Sequence, residues 1–440
     1  MSVLFSAPTD NSKNMERKRT KTLSVYIWCV PFVLLCCIVP YVMCVCPTGC
    51  SCDDENLFVD CVNAKLDIVP ITLNPSVKRL ILKNNKIRSL DAAFTFYPEL
   101  IHVDLSHNHL VRIQPGSFPT PTKLVQLNLN SNKISQLNNA TFGGPSSPME
   151  SLAVLNLRDN LLDTLDNGVF MYTRSLEELD LGQNSIRNLS TGVFVGLRSL
   201  RILNLEKNEL SQVPDVFSSR TVVNPGGGIV GGNNGLMPHL ANLLLGNNLI
   251  RKISADAFSG SKNLVTLDLH GCEISTIEPN AFRGLEALRK LILTDNKLTS
   301  VPTSSFSPLV QVEILRIGRN PFDKIDKFAF GGMKKLKTVD VSGAYELSHV
   351  EREAFALNYD LDTVDMSNSK KLHILPPRLY QGLSGLKNLN LKVGFDKHCN
   401  FLSCFIRKYN SSCLCVSFFP IRYMSLLGGY KQYLYFHSPD

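Results

Sequence analysis

Thirteen cysteines, nine histidines and a recurrent asparagine carry most of the chemistry open to this 440-residue chain. The cysteines fall in blocks: four within the first 44 residues, then Cys46, Cys50, Cys52 and Cys61, a lone Cys272, and finally Cys399, Cys404, Cys413 and Cys415. The second block reads Cys46-Pro47-x-x-Cys50-x-Cys52, with Cys61 following. Cysteines so close together can ligate zinc or form two disulfides in any of the three pairings open to four cysteines. Nothing else has a catalytic layout. No G-x-S-x-G, H-E-x-x-H or GxxxxGK[ST] segment occurs. The histidines, His107, His109 and His270 among them, stand singly. Acidic residues recur without metal-ligand spacing. These residues therefore predict a binding protein and not an enzyme, with no cofactor and no metal.

The first 45 residues decide between the two cysteine chemistries. Lys13, Arg17, Lys18, Arg19 and Lys21 precede an uncharged apolar run from Leu23 to Val45, the layout of a cleaved export signal. The run is also long enough to stay in a bilayer as an N-terminal anchor. Either outcome sends the remainder into the secretory pathway, to the cell surface or beyond, where disulfides persist. The net charge of +8 sits largely at the two ends. That leaves the middle of the chain near neutral, so no nucleic-acid partner is expected.

Between those ends one pattern repeats. Leu124, Leu127, Leu129, Asn132 and Ile134 return as Leu152, Leu155, Leu157, Asn160 and Leu162, and again as Leu176, Leu179, Leu181, Asn184 and Ile186. From Val77 to Lys392 the sentence L-x-x-L-x-L-x-x-N-x-L restarts, usually every 24 residues. That period is the leucine-rich repeat. A unit so small cannot bury its own apolar face, so neighbours must stack. The expected fold is an α/β-type solenoid: a horseshoe of twelve to thirteen coils, with a parallel concave β-sheet and an irregular or briefly helical convex side. The asparagines at 85, 108, 132, 160, 184, 208, 248, 296 and 320 should bridge adjacent coils, because an amide both donates and accepts. Cys272 takes that position once, as a small apolar substitute. Phe118, Phe142, Phe170, Phe194, Phe258, Phe282, Phe306, Phe330 and Phe355 should stack as a second interior column.

In each L-x-L strand the middle residue should face the concave surface, since side chains alternate. Most of that column is polar, and Ile81, Leu244 and Ile292 are expected as exposed apolar breaks in it. A protein partner on this face, homophilic or heterophilic, would meet Asp180, Leu244, Asp268, Ile292 and Arg316. Sequons at Asn139 and Asn188, and a third at Asn410, predict glycans; the first two lie past the strands and would leave the concave face open. Two departures interrupt the period. A glycine-rich insertion occupies 219–236, read as an unstructured excursion or a wrongly joined exon on one side and a ligand loop on the other. In the last two full repeats, Val339-Val341 and Val364-Met366, the turn is one residue longer and the asparagine is lost, which predicts looser packing.

The cysteine spacing at 46–61 resembles the N-terminal cap of extracellular leucine-rich repeat proteins. That resemblance implies the pairs Cys46–Cys52 and Cys50–Cys61 within a cap at 46–76. Cys46-Pro47, Cys50, Cys52-Asp53-Asp54, Leu66-Asp67, Pro70-Ile71-Thr72-Leu73-Asn74-Pro75, Asn84-Asn85-Lys86-Ile87, Phe96-Tyr97 and Asn108-His109-Leu110 are together similar to the insect Tartan/Capricious cell-surface family. This resemblance implies a single-pass receptor in cell adhesion and tissue patterning. Receptor ectodomains that sense a soluble ligand, and matrix proteins, share the same architecture. The pattern stops at Lys392, and residues 393–440 lack both the repeat and the cap and membrane span that the resemblance implies. They read as translated intron or an alternative end, the other reading being a divergent cap that uses Cys399, Cys404, Cys413 and Cys415.

Overall fold

A computed structural model describes residues 45–391, apart from 119–121, 220–221, 224–228, 231–236, 374, 377–378, 380–382 and 384. The leader at 1–44, most of the 219–236 insertion and the 393–440 tail lie outside the described residues, as does the sequon at Asn410. The leucines do what their spacing demands. In Gln126–Asn128, Val154–Asn156 and Glu178–Asp180, three-residue strands bury the central leucine and leave its neighbours at the surface. Register then stacks like on like, with Leu127 opposite Leu155 and Leu155 opposite Leu179. Repeated along the chain, this pairing builds one 15-stranded sheet that is parallel from Phe58–Asp60 to Asn388–Asn390. Thirteen of its strands, from Arg79–Ile81 onward, belong to the repeats. Among the described residues, the rest of each coil is turns, three short 3-10 helices, Ala93–Phe96, Asp215–Phe217 and Thr303–Phe306, and small strand pairs such as Lys252–Ile253 with Thr276–Ile277 and Lys324–Ile325 with His349–Val350.

At the N-terminal end a hairpin closes the sheet. Ser51–Asp53 pairs antiparallel with Phe58–Asp60, which then runs parallel to Arg79–Ile81. Disulfides join Cys46 to Cys52 and Cys50 to Cys61. Cys61 is fully buried, and its carbonyl accepts from Asn85 Nδ2 at 2.8 Å, so cap and first coil share a bond. Arg79 lies 5.3 Å over the Phe58 ring. The buried Tyr97 hydroxyl donates to the Pro70 carbonyl, tying the far end of the first coil back to the cap.

The asparagines form a continuous bridge between coils. Asn184 Nδ2 donates to Leu157 O of the preceding coil at 3.1 Å and to Leu181 O of its own at 3.0 Å. Its Oδ1 accepts from Leu162 N at 3.1 Å. Asn108, Asn132, Asn160, Asn208, Asn248, Asn296 and Asn320 repeat this geometry. Each satisfies backbone groups where the chain leaves the strand and no ladder can reach them. The residue just before the asparagine is left-handed in coil after coil, as at His107, Ser131, Gln183 and Lys207 with φ of 54°, 54°, 52° and 54°. Such a conformation is unfavourable for these residue types, and it recurs because the bridge holds the turn. At Cys272 the thiol donates to Leu245 O at 3.4 Å, and burial pushes its pKa up to about 11. Past Asn320 the bridge lapses. Ala344 and Ser369 take the position, and the buried Ser369 Oγ finds no partner. The apolar core runs on regardless, with Val339, Val341, Leu347 and Val350 fully buried.

The phenylalanines stack behind the sheet. Phe258, Phe282 and Phe306 follow one another at 6.3 Å between centroids, and Phe330 meets Phe355 at 5.4 Å. Phe94, absent from the column read from sequence, is its first rung, 5.1 Å from Phe118. The long repeats leave the sheet intact. A small hairpin, Gly143–Gly144 with Ser147–Pro148, takes up extra length before Leu152. Within the glycine-rich insertion, Val222–Val223 and Ile229–Val230 pair antiparallel. Ile202–Asn204 still pairs directly with Asn242–Leu244 across that excursion.

Candidate functional site

The sheet face carries the residues picked from sequence. Register sets Asp180, Asn204, Leu244, Asp268, Ile292 and Arg316 side by side as consecutive rungs. Arg316 is exposed and Leu244 is half-buried. Ile292 is not the exposed break expected: at 8% exposure it is buried. Alternation fixed the direction of its side chain, but on a concave sheet neighbouring side chains converge, and Asp268 and Arg316 flank it on the ladder.

The polar column has a structural task that alternation did not reveal. Asp104, Asn128, Asn156, Asp180, Asn204, Asp268, Asp340 and Asp365 each accept, through Oδ1, the backbone N–H two residues on. These are Asx turns, and they fix the bend out of the strand. A partner at Asp180 or Asp268 would therefore meet carboxylates already holding backbone.

Next to this column runs a second one, two residues further along each coil: Arg158, Gly182, Glu206, Gly246, His270. The glycines leave gaps into which neighbours lean. A Cβ at Gly182 would lie 2.6 Å from Arg158 Nη1, and that guanidinium sits 3.9 Å from Asp180. At Gly246 the space is filled by the His270 ring. His270 Nδ1 lies 2.8 Å from Asp268 Oδ1 and 3.9 Å from Glu206 Oε1, while Nε2 meets Asn247 Nδ2 at 2.8 Å. Sequence reading passed over Glu206, Asn247 and the role of His270. Further along the face, Glu313 joins Arg289 to Lys337, and the bonds from Lys337 and then Arg289 hold its carboxyl below the usual range. Asn139 and Asn188 are both exposed, away from the strands.

Asp180 is the carboxyl on this row whose pKa stands above its ordinary value, raised chiefly by burial and opposed by the bond from Gly182 N. Its folded pKa exceeds its unfolded one, so the native state holds the proton more tightly. Stability therefore falls as pH rises through that interval and stays lower above it. Asp180→Asn keeps the acceptor for Gly182 N and removes the charge. We expect it to melt higher than wild type near pH 7 and to lose that advantage below about pH 4. A variant less stable at both pH values would refute this account.

Comparison with known proteins agrees with the coil geometry. The leucine rich repeat family matches residues 98–147, 150–210, 238–298 and 287–345. Tsukushi of Gallus gallus is 30% identical over 154 residues, 34% of this chain and 41% of Tsukushi. Keratocan of Danio rerio is 36% identical over 107 residues, 24% of this chain and 30% of Keratocan. The chain thus spans less than half the length of these relatives, which are secreted or cell-surface leucine-rich repeat proteins. Among solved structures, TLR13, determined in complex with ssRNA13, superposes with a TM-score of 0.59 at 25% identity, covering 72% of this chain and 47% of TLR13. No helix of the described residues is long and apolar enough to cross a membrane. The repeating strand, the asparagine bridge, the disulfide-bonded cap and these matches together make the chain a member of the leucine-rich repeat family, related to its extracellular proteins.

Proposed function

We propose that this chain is a cell-surface or secreted recognition protein that binds a protein partner on its concave face, in cell adhesion and tissue patterning of the Tartan/Capricious kind. The observation that carries the reading is the row from Asp180 to Arg316. It is an unbroken, in-register strip of sheet with a polar border, a half-buried Leu244 and an exposed Arg316, and the exposed sequons at Asn139 and Asn188 lie off it. Such a strip offers a partner a rigid surface whose side chains are set before contact, which lowers the entropy lost on binding.

Cells expressing the full chain, mixed with non-expressing cells, should sort into separate aggregates. Arg316→Glu should abolish sorting while leaving surface expression unchanged, and Arg352→Glu, exposed and outside the sheet, should have no effect. Failure to sort would remove adhesion as the function. The second reading, an ectodomain that senses a soluble ligand, draws on the likeness to TLR13 and would then take its place. Equal behaviour of the two variants would remove the concave face as the contact.

A further inference from the structure

We propose that Glu206, Asp268 and His270 form a binding site for a divalent metal ion of the zinc class on the concave face, with Asn247 positioning the imidazole. The site stands on the chain's own ligands and does not depend on the adhesion reading.

Sequence spacing hides these residues from one another, and coil register brings them together. Glu206 and His270 occupy the same place in coils two apart, with Gly246 between them. A Cβ at Gly246 would lie 2.4 Å from both Cε1 and Nδ1 of His270. Only glycine there lets the ring cross the intervening coil toward Glu206. One atom from each of Glu206, Asp268 and His270 falls within 4.8 Å of the other two. Zinc bound at ~2.0–2.1 Å in a tetrahedral shell holds its ligand atoms ~3.3 Å apart. The Nδ1–Asp268 separation of 2.8 Å and the Nδ1–Glu206 separation of 3.9 Å fall on either side of that value. A shift of about half an ångström would bring each of these two separations to that value.

Charge points the same way. The Glu206 and Asp268 side chains are only 20% and 14% exposed. Among the described residues, neither has a lysine or arginine within 4.0 Å, and each has the His270 ring as its ion-pair neighbour. Two carboxylates facing one imidazole leave negative charge in excess whether or not the ring is protonated, and largely sheltered charge without a counterion is costly. A divalent cation removes that excess. The far side of the ring has a partner that can serve either tautomer. Asn247 Nδ2 sits 2.8 Å from Nε2; with Nδ1 on the metal the ring proton resides on Nε2, and a turn of the Asn247 amide about its last bond brings the amide oxygen round to accept it. That is the outer support a metal-bound histidine needs. Three protein ligands leave at least one position open to water, and that position faces out from the sheet, where a partner's carboxylate or imidazole could replace the water.

The test uses the full chain, stripped of metal and alkylated at accessible thiols, titrated with zinc chloride by calorimetry. One saturable site is expected, with a rise in melting temperature on loading. Glu206→Gln and His270→Ala should each weaken the affinity about ten-fold or more, and Asn247→Ala should weaken it by a smaller factor. Cobalt should bind with the same order among variants and without the intense near-ultraviolet band of a thiolate ligand, which separates this site from the cysteines. Absence of saturable binding to the wild type would overturn the proposal. So would unchanged affinity in Glu206→Gln, a near-isosteric change that keeps the test valid if His270→Ala fails to fold.

Discussion

Phe282→Ala should cost about 3–5 kcal/mol, the range for deleting a fully buried ring. Phe282 is fully buried, with Phe258 on one side and Phe306 on the other, each 6.3 Å away. The cavity would open within three consecutive coils, and the two outer rings would each lose a stacking partner. In a solenoid each coil touches only its neighbours, so the damage should stay local. Hydrogen exchange should show amides of the strands from Asn242–Leu244 to Ile314–Arg316 losing protection, while those near Leu127 and Leu155 keep theirs. Chemical denaturation should split into two steps as the coils on either side uncouple. A single, uniformly shifted transition, or a loss below about 1 kcal/mol, would mean the column is not the core described here.

The second large effect is expected at the bridge. Asn184→Ala removes the acceptor of Leu162 N and the side-chain donor of Leu157 O and Leu181 O, all in buried surroundings. Buried groups left without partners cost about 1–3 kcal/mol each, so a total near 3 kcal/mol or more is expected. It also releases Gln183, held left-handed at φ 52°. The reverse change tests the same physics with the opposite sign. Cys272 donates to Leu245 O but offers no oxygen to the coil before it. Cys272→Asn should therefore stabilise the protein by about 1 kcal/mol, the usual worth of one restored hydrogen bond. Thermal melts of the two variants beside wild type would check both. An Asn184→Ala variant as stable as wild type would show that the bridge is ornamental.

The parts of the molecule legible in its sequence are those whose physical cause is periodic. Leucines at strand positions, asparagines at the exit and phenylalanines behind recur together, because each coil must solve the same burial problem against the next. Phe94 was within reach by the same rule, 24 residues before Phe118, and needed only an extension of the column. Other features depend on register or on crowding, which composition does not carry. An aspartate at an outward strand position reads as surface, yet Asp180 and Asp268 are occupied with the backbone two residues on. Ile292 points outward and is nonetheless covered. Glu206 and His270 could be related only once strand Ile202–Asn204 was known to pair with Asn242–Leu244 across the insertion.

That pairing reaches beyond the fold. Forty residues separate Asn208 from Asn248, where 24 separate Asn184 from Asn208, and the ladder between their strands keeps perfect step. Length added behind the sheet does not propagate to the front. The two sides of the coil are thus free to vary on separate terms: the front by substitution at fixed positions, the back by insertion at almost any turn. A lineage that needs a new partner can extend the back without disturbing the old contact, and a protein engineer can use the same turn as a place to graft a loop.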